Sequence, residues 1–85
     1  MNAFYQQFET IYKELSSRAP DHPDLDTAAS CLAREQITSN FCQEMRFANL
    51  YEAADCKNIA KAVARCDREQ RAISAVMAAI DQKDA

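Results

Sequence analysis

Apolar residues recur along this chain at helical spacing. Phe4, Phe8, Ile11 and Leu15 succeed one another by steps of four, three and four, and Tyr5 and Tyr12 widen the same stripe. That spacing predicts an amphipathic helix, and Asn2 stands where its N-cap belongs. In heptad terms Phe8 and Leu15 fall at a, Phe4 and Ile11 at d, and both tyrosines at e. The stretch SSRAPDHPDLD then interrupts the pattern. Pro20 disfavours helical backbone at Ala19, and Pro23 fits the first turn of a second helix. Asp21 or His22 is the expected cap, with Asp24 and Asp26 at the positive end of that helix's dipole. The second helix, over roughly 23–37, carries Leu25, Ala28, Ala29 and Leu32 on one thin face suited to close packing.

The run ITSN at 37–40 predicts another interruption. Asn40 with Gln43 three residues later has the look of a capping box opening a third helix. Phe41, Met45 and Ala48 lie on one of its faces, and Phe47, Leu50, Tyr51 and Ala54 on another. A helix apolar on two sides is buried on two sides, the second by this chain or by another subunit. Asp55 is the candidate cap of a fourth helix, unless the third and fourth run on as one rod.

The longest pattern is KNIAKAVARCDREQRAISAVMAAI, residues 57 to 80. Cys56, Val63, Gln70 and Met77 fall at a, and Ile59, Cys66, Ile73 and Ile80 at d. More than three heptads predict a coiled-coil-like helix, with Gln70 as the one polar residue able to fix register. Ile59, Val63, Cys66, Gln70, Ile73, Met77 and Ile80 are therefore the candidate self-association seam, pairing with the first helix or with a second copy. A continuous helix of this length outruns the shorter helices that would cover it, which favours a homo-oligomer, a dimer or tetramer. The expected fold is all-α: one helical domain over 1–85, a bundle of three to four helices with a long C-terminal one.

Composition agrees. The chain has no Gly, two Pro and 48% hydrophobic residues, which favours folded helix over disorder. Eighty-five residues make a marginal core, so disulfides, a metal or oligomerisation are the usual supplements. Nothing approaches the ~20 apolar residues of a membrane helix. Glu9 and Glu14 interrupt the N-terminal segment where a signal peptide would be apolar. The expectation is a soluble, cytoplasmic protein.

Charge is polarised. Residues 1–55 hold nine acids against four bases, whereas 56–85 hold six bases against four acids. Lys57, Lys61, Arg65 and Arg68 form a basic stripe opposite the seam, with Arg71 alongside. Such a stripe serves as a solvated face or as a docking surface for an acidic protein. Direct nucleic-acid binding is disfavoured by the net charge of −3 and by the lack of interleaved aromatics.

Chemistry-bearing residues are few. His22 is the only histidine, lying in the proline turn, and no Cys-x2-Cys pair is present, so neither zinc nor any other cofactor is expected. No nucleophile–base motif or glycine loop supports catalysis. Cysteines at 31, 42, 56 and 66 read as buried thiols that behave as small hydrophobes. Their spacing, Cys-x10-Cys then Cys-x9-Cys, also resembles the twin Cys-x9-Cys helical hairpins of the mitochondrial intermembrane space, over residues 31–66. That resemblance implies disulfides joining Cys31 to Cys66 and Cys42 to Cys56 across two antiparallel helices.

The overall profile is similar to small acidic accessory proteins of bacteriophages and mobile elements, among them antirepressors and anti-CRISPR proteins. It implies a non-enzymatic protein-binding regulator, most simply an antirepressor-like inhibitor of a DNA-binding repressor. Phe4, Tyr5, Phe8 and Tyr12 are then the candidate partner-binding face. The alternatives are a structural or chaperone-type subunit of a larger assembly and the disulfide hairpin.

Overall fold

Four helices account for nearly all of the residues that the computed structural model describes, Asn2–Asp84: α1 (Ala3–Arg18), α2 (Leu25–Phe47), α3 (Ala53–Ala62) and α4 (Asp67–Asp84). The all-α expectation holds. Helix α1 begins where the sequence places it, with the Asn2 side chain accepting a hydrogen bond from the Phe4 N–H at 2.8 Å. It ends as the Ala19 N–H bonds back to the Leu15 carbonyl. The turn between α1 and α2 puts Asp21 in the left-handed region (φ 61°), a conformation that Asp tolerates better than most residues. The Nδ1 of His22 accepts from the Asp24 N–H at 3.1 Å, so the histidine braces the entry to α2 while Asp24 occupies the cap position.

The cap of α2 is therefore Asp24 rather than Asp21 or His22, and two further boundaries differ from the sequence expectation. The first is the interruption at 37–40, which does not occur: α2 runs through it as one helix. Ile, Thr, Ser and Asn each cost only a few tenths of a kcal/mol in a helix, too little to stop one that packs on both sides. Asn40 is not a cap, since its Oδ1 accepts from the Gln36 amide one turn earlier at 3.0 Å. The helix ends instead at Ala48, where Asn49 adopts φ 59°. The Asn49 N–H bonds to the Arg46 carbonyl and the Leu50 N–H to Met45, which is a Schellman ending with Asn in the place usually held by Gly. Helix α3 then opens on Glu52, whose N–H donates to the Asp55 carboxylate at 2.8 Å.

The second correction concerns the long C-terminal helix. Residues 57–80 are not one rod: the chain leaves the helix at Val63–Cys66 and restarts as α4. The Gln70 N–H donates to the Cys66 carbonyl, closing the first turn of α4, and the Glu69 carboxylate accepts the otherwise orphaned Cys66 N–H at 3.0 Å. The break lets α4 fold back into a three-helix bundle with α1 and α2.

The core lies in that bundle. Leu15 and Ala19 meet Leu25, Ala28, Ala29 and Cys31 of α2 and Ile73, Val76 and Ile80 of α4. The small residues on α2 allow the close approach of both neighbours. Helix α3 buries no residue completely and packs on α2 alone. The molecule is consequently elongated, 44 × 29 × 21 Å, with a radius of gyration of 14.7 Å against about 12 Å for a compact chain of this length. Among the described residues no helix is long and apolar enough to cross a membrane.

Candidate functional site

The second half of α2 and the whole of α3 form an antiparallel hairpin that projects beyond the bundle, and between them runs a groove of about 980 Å³. Its α2 wall is a stripe at helical spacing, Glu35, Ser39, Cys42, Arg46 and their neighbours, and its other wall is Cys56 and Ala60 of α3 with Val63 and Ala64 of the segment that follows it. Small side chains in the middle make it a trough. At the open end the apolar residues are unusually bare: Phe47 is 79% exposed, Leu50 67% and Phe41 42%. Phe41 packs edge-on against Tyr51 at 5.8 Å, closing the tip of the hairpin. The two-sided apolar pattern of 41–54 therefore leaves Phe47 and Leu50 uncovered among the described residues.

At its other end the groove is fastened by two ion pairs from adjacent residues of α2. Arg34 forks onto Glu69 at 2.7 and 3.1 Å, and its Nη2 also donates to the Val63 carbonyl exposed by the helix break. Glu35 takes Arg65 in a second fork at 2.7 and 2.9 Å. Bidentate guanidinium–carboxylate pairs are the strong, geometrically specific kind. Hydrogen bonds from Arg34 and the Cys66 N–H hold the Glu69 carboxyl down at about 2, and the bond from Arg65 lowers that of Glu35. The same contacts raise the pKa of both arginines.

The four cysteines share this region as free thiols. Cys31 is fully buried beside Arg34 and Glu35; burial, then the Glu35 carboxylate, pushes its thiol up to about 11. Burial also raises the Cys42 thiol, with Cys56 beside it, and the Cys56 Sγ lies 3.8 Å from the Cys42 carbonyl. Cys66 is exposed. Because the thiolate is the reactive form, alkylation of the native protein is expected to modify Cys66 first and Cys31 last. Peptide mapping after timed iodoacetamide treatment checks this; early labelling of Cys31 would mean the bundle opens readily.

The residues singled out by sequence are dispersed. Phe4, Phe8 and Tyr12 stack along α1 with ring centroids 6.2 and 5.7 Å apart, and Phe8 and Tyr12 pack on the core while Tyr5 is 64% exposed. Of the heptad seam, Ile73 and Ile80 lie in the intrachain core, Ile59 and Val63 are half-buried, and Cys66, Gln70 and Met77 face outward. The basic stripe is divided by the break: Lys57 and Lys61 stand on α3, Arg65 is paired within the break, and Arg68 and Arg71 open α4. Among the described residues no carboxylate forms an ion pair with Lys57, Lys61, Arg68 or Arg71. Nor, among those residues, does any group of three or more His, Cys, Asp and Glu gather as a metal site.

Sequence reasoning missed the Arg34–Glu69 and Glu35–Arg65 pairs. One signal for them was present: Asp67 and Glu69 interrupt a basic run, which is the charge pattern of a helix starting anew. Compared with known proteins, the chain matches no family model, no curated protein and no solved structure.

Proposed function

We propose that this is a non-enzymatic protein-binding regulator, antirepressor-like in action, which inactivates a DNA-binding regulator by occupying it. The observation that carries the reading is the exposed apolar end of the α2–α3 hairpin, where Phe47 and Leu50 are 79% and 67% exposed beside an open groove. Large aromatic and aliphatic side chains left in water next to a concave surface are the anchors of protein interfaces. The α1–α2 turn and the first turn of α2 (Asp21, Asp24, Asp26) supply a second surface, of the sign that meets a DNA-reading face. Tyr5, exposed at the N-terminal end of α1, stands at the other end of that helix from the turn and offers a separate aromatic contact.

Lys57 and Lys61 flank the hairpin groove, so an amine-reactive crosslinker applied in the native cell will capture whatever sits there. The expected result is a DNA-binding protein that releases its operator when this protein is added. The Phe47→Ser/Leu50→Ser variant is expected to lose that release. A captured partner with no nucleic-acid function would move the protein to the class of assembly subunits or chaperones, and copies of itself would make the hairpin an oligomer seam.

A second reading, the disulfide-stapled hairpin, is favoured by the register that sets Cys56 against Cys42 across the two helices. Oxidation there would staple α3 to α2. Equal thermal unfolding with and without reductant after isolation under non-reducing conditions would remove it.

A further inference from the structure

The geometry points to an acidic amphipathic helix as the occupant of the α2–α3 groove, a conclusion that rests on the protein-binding reading and adds the chemistry of the partner. Shape comes first. The α2 wall extends from Glu35 to Phe47, about three helical turns or ~18 Å, and is paralleled by one face of α3. A trough between two antiparallel helices, floored by small residues, takes a third helix laid along it with anchors at i, i+3 or i+4, and i+7. Cys42, Cys56 and Ala60 leave room for Leu-sized anchors, and exposed Phe47 supplies one aromatic wall.

Charge selects the occupant. The groove holds two arginines and one carboxylate in its walls, and that carboxylate, Glu35, is already neutralised by Arg65. Arg46 remains. Lys57 and Lys61 each follow a lining residue of α3, Cys56 and Ala60, by about 100° of helix rotation, and so stand on one flank of α3 beside the groove rather than in its wall. None of these three cations has an ion pair among the described residues. The nearby acids are placed differently. Glu44 lies two positions from both Cys42 and Arg46, on the far side of α2. Glu52 and Asp55, which keep their charge, are confined to the capping box at the start of α3, where their hydrogen bonds to backbone N–H groups hold them. A chain acidic overall thus carries a locally basic rim around an apolar floor. An amphipathic helix with carboxylates flanking its apolar stripe complements both properties, whereas a nucleic-acid backbone would complement only the rim.

The probes are two labelled helical peptides of about four turns with the same Leu/Ala face, one flanked by Glu and the other by Lys. Fluorescence anisotropy with the purified full chain in reductant is expected to show the Glu peptide binding at least about tenfold more tightly. Ala60→Trp, at an exposed position outside the bundle core, should abolish binding while the thermal melt of the bundle is retained. Reversing the rim with Arg46→Glu, Lys57→Glu and Lys61→Glu should invert the preference to the Lys peptide. Binding of neither peptide, equal binding of both, or indifference to Ala60→Trp overturns the inference. A dimer that Ala60→Trp dissolves would make a second copy the occupant, and displacement of the Glu peptide by duplex DNA would assign the rim to phosphate; either also overturns it. The two readings fail separately. A crosslinked regulator without acidic-peptide binding sinks only the choice of occupant, and acidic-peptide binding with a partner unrelated to DNA sinks only the regulator.

Discussion

Ile80→Ala is expected to destabilise the protein by about 3 kcal/mol, with a loss of roughly 15 °C in Tm. Ile80 is 2% exposed, near the C-terminus of α4, among Leu15, Ala19 and the apolar face of α2. Those neighbours belong to packed helices and collapse only partly into the cavity left by three carbon atoms. A chain of this size has only about 4–13 kcal/mol of total stability, so this one change consumes a large share. Urea unfolding monitored by circular dichroism measures it, with Ile80→Val as the graded control at about 1 kcal/mol. Met77 lies at the adjacent heptad position but is 39% exposed, and Met77→Ala should cost much less. Equal damage from the two substitutions would place Met77 in an interface between copies and restore the intermolecular seam.

Arg34→Lys is the second large effect expected, about 2 kcal/mol despite conserving charge. Lysine lacks the planar fork that spans both Glu69 oxygens, and it cannot simultaneously reach the Val63 carbonyl. The loss leaves a half-buried carboxylate and a carbonyl at the helix break less satisfied, which is where the cost arises. It falls below that of a fully buried pair because Arg34 is partly exposed, and because its Nε already lacks a hydrogen-bond partner. Acid should act on the same contact. The Glu69 carboxyl is lowered from 4.5 to about 2, so its contribution is complete above pH 4.5, declines as pH falls and is gone near pH 2. Glu35, lowered by Arg65, loses its contribution in the same direction. Urea midpoints measured from neutral pH to about pH 3 should drop in the wild type and drop less in Arg34→Lys. A parallel decline in both proteins would mean that acid acts elsewhere.

The class of the fold was legible because its cause is local. Period, capping and the absence of Gly fix helices wherever neighbouring residues decide, and Asn2 and Pro20 act where their chemistry says they should, whereas Asp55, expected as a cap, stands at the third position of α3 behind the cap Glu52. The boundaries that misled were decided at long range. Thr38, Ser39 and Asn40 look like a break and are carried through by packing, whereas Val63 to Cys66 look helical and are pulled out of helix by Arg34, twenty-nine residues from Val63. Two of the seven seam residues, Ile73 and Ile80, were real as a buried face, but that face is spent inside the chain once α4 folds back. For the candidate site, the apolar character of Phe47 and Leu50 was evident in sequence. Their exposure was not, because it depends on α3 meeting only α2.

That arrangement divides the molecule into two cooperative units of unequal strength. Opening of α3 disrupts no contact of the α1–α2–α4 core, so the hairpin melts at a free energy of its own, below that of the bundle. A ligand seated in the groove adds its binding free energy to the weaker unit first. Calorimetry and dye-based thermal shift, which are dominated by exposure of the core, will register little when such a ligand binds, while amide exchange in residues 48–66 will slow markedly. A screen that ranks ligands of this protein by global melting temperature is reading the half of the molecule they do not touch.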